Sequence, residues 1–450
     1  MPNALSQSSL SVSSVPSVVR VFSLLAVAMI AASSAPLEAA DAPAAQGKHA
    51  AGLVASPEAG WPQWRGRYRD GISDETGLLQ AWPEGGPKLL WKVDGLGRGW
   101  SSPIVAGGTV FITGDVGEDC VIFAYDLDGK LRWKAANGAF WKNPWPGARA
   151  SCAFSEGRLY HMNAHGRAAC LDPATGRELW AVDTLARFEA KNITWAMADS
   201  LLVDGPRVIV TPGGAKGMIA ALDKADGKTV WASGPIEGDQ TAYSTPILFT
   251  HGGRRHLVNF ASRHAFGADA DTGKLLWTIP YVNKYMVSCC TPLYADGRVL
   301  LVIPDGPNAT LLKLAVEGDA VRAEPAWQAD LDTLSGGTLL IDGLIYGAGY
   351  RKLKGWQALD FATGAVRFTE KGVDSGSAIW ADGRLYILTE TGTMTLVRPT
   401  PTGFDVTGRF EFAPASAKKR DCWAHPVLLD GRLYVRYHDG MACYDVRAAK

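Results

Sequence analysis

Charge of one sign is the first thing this sequence lacks: 45 basic residues stand against 45 acidic ones, giving a formal net charge of zero. That argues against a nucleic-acid partner, whose phosphates need a basic excess. No acidic or basic run is long enough to act as an interaction tail. Enzyme signatures are missing too. There is no Gly-x-Ser-x-Gly, His-Glu-x-x-His or phosphate-binding loop, and no Cys-x-x-Cys-His for a haem. After Ala32 no apolar run is long enough to cross a membrane. Cysteines number seven and none precedes Cys120, so a lipid-modified N-terminal cysteine is not expected.

The one long apolar stretch, Val21–Ala32 after Arg20, has the length of an export signal rather than of a membrane span. Small residues follow, which places cleavage between Ser33 and Ala40 and makes 1–40 a signal peptide. No arginine pair precedes it, which favours export in the unfolded state. Residues 41–60 are rich in Ala, Gly and Pro and show no periodicity, so they are expected to form a disordered linker ahead of a folded domain at 61–450. The mature protein is expected to be soluble and periplasmic or secreted, with no integral membrane segment once the signal is removed.

What the chain has in quantity is 50 Gly, 25 Pro and 16 Trp, a mix suited to short strands joined by tight turns. From Trp91 onward it repeats itself. AYDLDGKLRW (124–133), CLDPATGRELW (170–180), ALDKADGKTVW (221–231), GADADTGKLLW (267–277) and ALDFATGAVRF (358–368) share one grammar: Asp, a turn ending in Gly, then an aromatic. A second hairpin precedes each, as in ADGRLYILT (381–389) and LDGRLYVRY (429–437), where Asp-Gly between alternating apolar runs marks a two-residue turn. Its glycines, at 108, 157, 205, 252, 297, 343, 383 and 431, are spaced by roughly 46 residues, close to a propeller-blade period. The copy at 249–261 is expected to carry a longer turn, and blades 5 and 7 lack the Asp-Thr-Gly turn.

Two hairpins per copy and eight copies predict an all-β, eight-bladed β-propeller of four-stranded antiparallel blades. The last blade supplies three strands before the sequence ends, while PKLLWKV (87–93) is an outer-strand sequence with no hairpin before it. Pairing it with MACYDV (441–446) closes the ring and hides both edges. The recurrent Trp residues at 91, 133, 180, 231, 277 and 327 then read as packing between adjacent blades rather than as a cofactor box.

The turn segments resemble the tryptophan-docking repeat of quinoprotein dehydrogenases, Ala-x-Asp-x-x-Thr-Gly-x-x-x-Trp, over about 90–450. The leader WPQWRGRYRDGIS (61–73) is similar to the start of many exported PQQ-like propellers. The resemblance implies an eight-bladed, pyrroloquinoline-quinone-type (PQQ-like) propeller. Its relatives include cofactor-binding alcohol and sugar dehydrogenases, and outer-membrane-assembly propellers that bind proteins and carry no cofactor. In that topology one face of the ring, the channel mouth, gathers the loops that enter each inner strand. Trp100, Arg149, Trp195, Tyr243, Tyr285, Cys289, Cys290, Trp423 and His425 are candidate ligand-binding residues there, with Asp374 and Asp421 as candidate bases. Loops between second and third strands add Asp115, His165, Lys216, His264, Asp305, Asn308 and His438, of which Asp305 and Asn308, with Asp239, Asp374 and Asp421 elsewhere, are the candidate Ca²⁺ ligands.

Two features weigh against a dehydrogenase: the repeats leave no room for long inter-blade insertions, and no spacing picks out a calcium cluster. The favoured expectation is therefore an exported binding or scaffold propeller without a cofactor, holding a protein partner or a small-molecule or sugar ligand at the channel mouth. The alternative is a PQQ- and Ca²⁺-dependent dehydrogenase of an alcohol or sugar. His161 and His165 in HMNAH share a strand face without a third metal ligand. Cys152 with Cys170, and Cys422 with Cys443, fall on first and third strands, too far apart for a disulfide. Cys289 and Cys290 either close a vicinal disulfide against a flat cofactor or are two small buried neighbours.

Overall fold

The computed structural model of the chain describes residues 47–412 and 421–449. The expected signal peptide and residues 41–46 of the expected linker lie outside these residues. Eight four-stranded antiparallel sheets make up the fold, and among the described residues the only helix is one turn, Thr184–Arg187. Blades 1 to 7 begin with the inner strands Ile104–Ala106, Ala153–Ser155, Leu202–Asp204, Ile247–His251, Leu293–Ala295, Thr338–Ile341 and Gly376–Ala381. Blade 8 joins Val427–Leu429, Arg432–Tyr437 and Gly440–Asp445 to Lys88–Val93. That N-terminal strand runs antiparallel to the last one, with Lys88 opposite Asp445 and Val93 opposite Met441, so the ring closes as expected.

Turn chemistry sets the pitch. In blade 5 the two residues between strands, Asp296 and Gly297, both have positive φ (49° and 72°), the type I′ geometry whose twist matches the flanking strands. Blade 4 uses Gly252 and Gly253 in the same way (56° and 75°). Its turn is therefore two residues long, not longer as the sequence suggested: the two glycines together replace Asp-Gly.

The tryptophans act across blades. A Cβ on Gly176 would lie 2.5 Å from the Trp133 ring, and one on Gly273 would lie 2.3 Å from that of Trp231. Each Asp-Thr-Gly-type turn thus offers a bare backbone on which the indole of the preceding blade sits. Trp133 Nε1 donates to Pro173 O (2.9 Å), Trp180 Nε1 to Lys224 O (3.1 Å) and Trp327 Nε1 to Phe361 O (3.0 Å). Trp91, on the closing strand, does the same to Leu127 O of blade 1 (2.8 Å), so one strand both completes a sheet and docks the ring shut. Trp277 faces blade 5, which lacks the turn, and packs instead with Leu312, Leu314 and Val321.

The expected linker is the main correction. Residues 47–60 are not a free tether but lie along the ring, with Leu53 bridging Phe249 and Val54 N donating to Leu248 O (3.0 Å). The segment continues through the channel and touches every blade. Trp61 exchanges backbone bonds with Val105 of blade 1, and Phe154 N of blade 2 donates to Pro62 O. Arg69 donates to Ser200 O and Leu201 O before the blade 3 strand, Trp64 Nε1 to Thr291 Oγ1 before that of blade 5, and Arg65 to Thr338 O of blade 6. Ile72 bridges Trp380 of blade 7, and the Glu75 carboxylate accepts from Asp430 N and Gly431 N in the blade 8 turn. Inner strands leave one edge unpaired toward the axis, and this segment satisfies part of that edge blade by blade.

Candidate functional site

Two fully buried arginines anchor the segment inside the channel. Arg65 Nη2 donates to Asp70 O (2.8 Å) and Thr338 O (2.5 Å). Its guanidinium presses on Gly337, where a Cβ would fall 2.4 Å from Nη1 and where φ is 66°. Burial lowers the Arg65 pKa to about 10, and the Asp70 carboxylate opposes that fall. Burial takes Arg69 down to about 9, opposed by Asp199, whose own carboxyl is driven up to about 6 by its burial.

His425, a candidate mouth residue, lies beneath the mouth rather than in it. It is buried, its ring meets Trp64 edge-on with centroids 4.6 Å apart, and its Nε2 is 3.1 Å from Ser335 O. Burial and the nearby Arg65 push its pKa down to about 3, so it is a neutral packing partner of the inserted segment.

Around His425 runs a belt of short polar side chains that tie each blade to the next. His425 N donates to Ser102 Oγ (2.7 Å), Ser151 Oγ to Ser102 O (2.8 Å), Ser200 N to Thr245 Oγ1 (3.1 Å) and Ser377 Oγ to Ala424 O (2.7 Å). Cys290 belongs to this belt. Its carbonyl accepts from Ser244 Oγ (2.8 Å), and its thiol donates to Leu334 O (2.9 Å) and Thr333 O (3.3 Å) across the seam with blade 6. All seven cysteines are free thiols in this structure. Of the two readings of Cys289–Cys290, the geometry matches two small unbonded neighbours, Cys290 buried and Cys289 partly exposed. Burial pushes the Cys289 thiol up to about 12, against the pull of Arg149.

Above the belt the structure brings several candidates together. Arg149 lies over the Trp100 ring at 5.3 Å and donates to Gly147 O (2.5 Å) and Trp145 O, clamping the loop that enters blade 2. Trp100 and Trp423 pack at 5.2 Å, and Trp195 lies 6.0 Å from Tyr243. Burial raises Tyr243 to about 12, against the Trp195 N–H that donates to its hydroxyl (3.3 Å) and the charge of Arg149. Asp421 Oδ1 is 3.0 Å from His438 Nε2, and His438 stands edge-on to Trp100 at 5.9 Å. Burial raises Asp115 to about 7 despite Arg149, Arg436 and Arg98 nearby.

Other candidates stay apart. Tyr285 is at the rim under Arg351 (5.2 Å). Asp305 pairs with Arg351 (3.1 Å), Asn308 Nδ2 donates to Asp330 (2.5 Å), Asp239 holds His264 (2.6 Å), and Lys216 pairs with Glu189 (2.7 Å). Asp374 O accepts from Trp356 Nε1 (3.0 Å). His161 is buried on Asn137 (2.9 Å), whereas His165 faces Trp141 at 5.3 Å. Ca²⁺ needs six to eight converging hard oxygens. The candidate acids are engaged on different blades, and among the described residues no three His, Cys, Asp or Glu side chains gather. This set does not fit a calcium-bound quinone. Sequence reasoning missed Trp64, Arg65 and Arg69 inside the channel, and Arg98, Trp145 and Arg436 around Trp100. The leader motif was the only signal for the first three.

Comparison with known proteins agrees with the fold. The family described as outer membrane protein assembly factor BamB matches residues 118–370. Quinohemoprotein alcohol dehydrogenase ADH IIB of Pseudomonas putida is 30% identical over 148 residues, covering 30% of this chain and 21% of the dehydrogenase. ADH-IIG of the same species is 30% identical over 166 residues, 34% of this chain and 22% of that protein. The chain thus spans about a fifth of the length of these curated relatives. Among solved structures, BamB from Moraxella catarrhalis superposes with a TM-score of 0.56 at 13% identity, covering 80% of this chain and 98% of that one. Quinohemoprotein alcohol dehydrogenase from Comamonas testosteroni gives 0.58 at 14% identity, covering 87% and 81%. At these identities the structural likeness concerns the fold alone. No described helix is long and apolar enough to cross a membrane.

Proposed function

This chain belongs to the PQQ-like propeller family described as outer membrane protein assembly factor BamB, and on that premise we propose that it is an exported binding propeller whose working surface is the channel mouth. The observation that carries this reading is the inserted segment. With Trp64 and Arg65 bonded to Thr291 and Thr338 at the mouth ends of the inner strands, the axis is filled by the chain itself, and a ligand meets only the aromatic and arginine-rich surface above it. The scaffold supplies rigidity: entering loops held by the Ser/Thr/Cys belt present fixed side chains, which lowers the ordering cost of binding.

A second reading, an alcohol-oxidising quinoprotein, draws on the two Pseudomonas putida dehydrogenases matched over part of the chain. Titration of the purified protein with PQQ and Ca²⁺, followed by dye-coupled oxidation of an alcohol and sugar panel, separates the two. The binding reading expects neither saturable quinone uptake nor turnover. Saturable uptake with turnover lost in Asp421→Asn would overturn it.

A further inference from the structure

The seam of blades 8, 1 and 2 carries an aromatic platform with unanswered polar atoms. Trp423 packs against Trp100 (5.2 Å, interplanar 37°) and against Trp145 (6.1 Å, 53°). Trp100 is 8% exposed and Trp145 47%, so a fixed ring backs an open one. Indole Nε1 of both Trp100 and Trp423 is buried without a hydrogen-bond partner, and so is Nδ1 of His438. Asp421 accepts from His438 Nε2, which fixes the tautomer and leaves the Nδ1 lone pair as an acceptor. Two unpaired donors and one unpaired acceptor thus lie just beneath an open ring face, where an entering polar ligand would find groups to bond.

Backbone strain marks the Trp145 side of the same spot. Trp145 has φ 54°, a left-handed value that a bulky side chain adopts only under constraint, whereas His438 (φ 40°) occupies the two-residue turn between Arg432–Tyr437 and Gly440–Asp445. Here the constraint is visible: Arg149 clamps the Trp145 loop. Such strain, kept in place by surrounding bonds and spent on exposing an indole, is characteristic of binding sites.

The two kinds of group together select a ligand class. A purely apolar ligand would leave the indole N–H groups and His438 Nδ1 unpaired, and a compact anion would have no use for ring faces. A sugar ring has an apolar C–H face for Trp145 and Trp423, and hydroxyls that both donate and accept at its edge. We propose that Trp145, Trp423, Trp100 and His438 form a saccharide-binding platform. The proposal rests on the mouth-face reading above and names its ligand class.

The test is titration of the full chain with maltohexaose, cellohexaose, chitohexaose and hexagalacturonic acid, followed by calorimetry and tryptophan fluorescence. At least one is expected to bind saturably in the micromolar to millimolar range. Trp145→Ala, at an exposed position, should weaken that binding by about tenfold or more, and His438→Phe should weaken it by several-fold. No binding by any of the four, or binding that Trp145→Ala leaves intact, overturns the platform. Neither result bears on quinone uptake, so failure of the saccharide assignment and failure of the binding reading are read out separately.

Discussion

Truncating Arg65 to alanine probes the inserted segment where it is most deeply held. Two charge-assisted hydrogen bonds are lost, to Asp70 O (2.8 Å) and Thr338 O (2.5 Å), each worth about 1.5–3 kcal/mol. Part of that is already offset, because burial opposes the charge and lowers the pKa to about 10. The truncation also leaves Thr338 O without this donor and opens a hole against Gly337. The balance is a destabilisation of about 3 kcal/mol, large for a single substitution. Arg65→Met keeps most of the volume and buries no charge, so it should cost about 1–2 kcal/mol. Equilibrium urea unfolding read by tryptophan fluorescence measures both. An Arg65→Ala value within about 0.5 kcal/mol of wild type would mean that the segment does not dock as described.

The segment also carries a pH-dependent contact. His49 stacks on Tyr68 at 3.9 Å, with Nδ1 2.7 Å from Asp70 and Nε2 3.1 Å from Asp74. Burial lowers its pKa, but the two carboxylates outweigh burial and the net shift is upward. A raised histidine stabilises fully below its unfolded value and loses that stabilisation as pH rises through the folded one. Thermal melts should therefore show His49→Gln destabilised most below pH 6.5 and converging on wild type in alkali. Gly176→Ala combines φ 73° with a Cβ 2.5 Å from the Trp133 ring and should cost about 2 kcal/mol or more in urea unfolding, whereas Gly157→Ala, with φ 67° and open space, should show only the backbone cost of about 1 kcal/mol. A thiol reagent should count seven cysteines after denaturation without reductant and react in the native state at Cys289 first, since it alone is not fully buried; five thiols would instead indicate a bonded pair.

How much of this was legible in the sequence follows from which physical constraints repeat. Glycines at hairpin positions must accept positive φ, and indoles must land on bare turns, so both recur at the blade pitch and disclose the ring. Closure was legible because an outer-strand sequence at 87–93 and a missing strand at the end complement each other. The inserted segment repeats nothing. It meets each blade once, through single bridges such as Trp61–Val105 and Ile72–Trp380, and leaves no period to find. Its Ala- and Gly-rich beginning, read as a disordered tether, suits a crowded passage: a Cβ on Gly52 would lie 2.8 Å from Thr250 O. At the mouth, the sequence named Trp100, Arg149, Trp423 and His438 but not their company. It could not tell that His425 turns inward, that Cys290 closes a seam, or that indole N–H groups are left without acceptors, since these depend on side-chain direction rather than residue type.

The binding reading depends above all on the chain's own residues filling the axis. Hydrogen–deuterium exchange of the full chain, resolved to peptides spanning 61–73, measures that directly. Backbone amides of Trp61, Gly71 and Ser73, bonded to Val105, Arg65 and Trp380, should exchange as slowly as the inner strands. Exchange across 61–73 at the rate of an unstructured peptide would mean an open channel, and with it the loss of the main support for a propeller that binds only at its mouth.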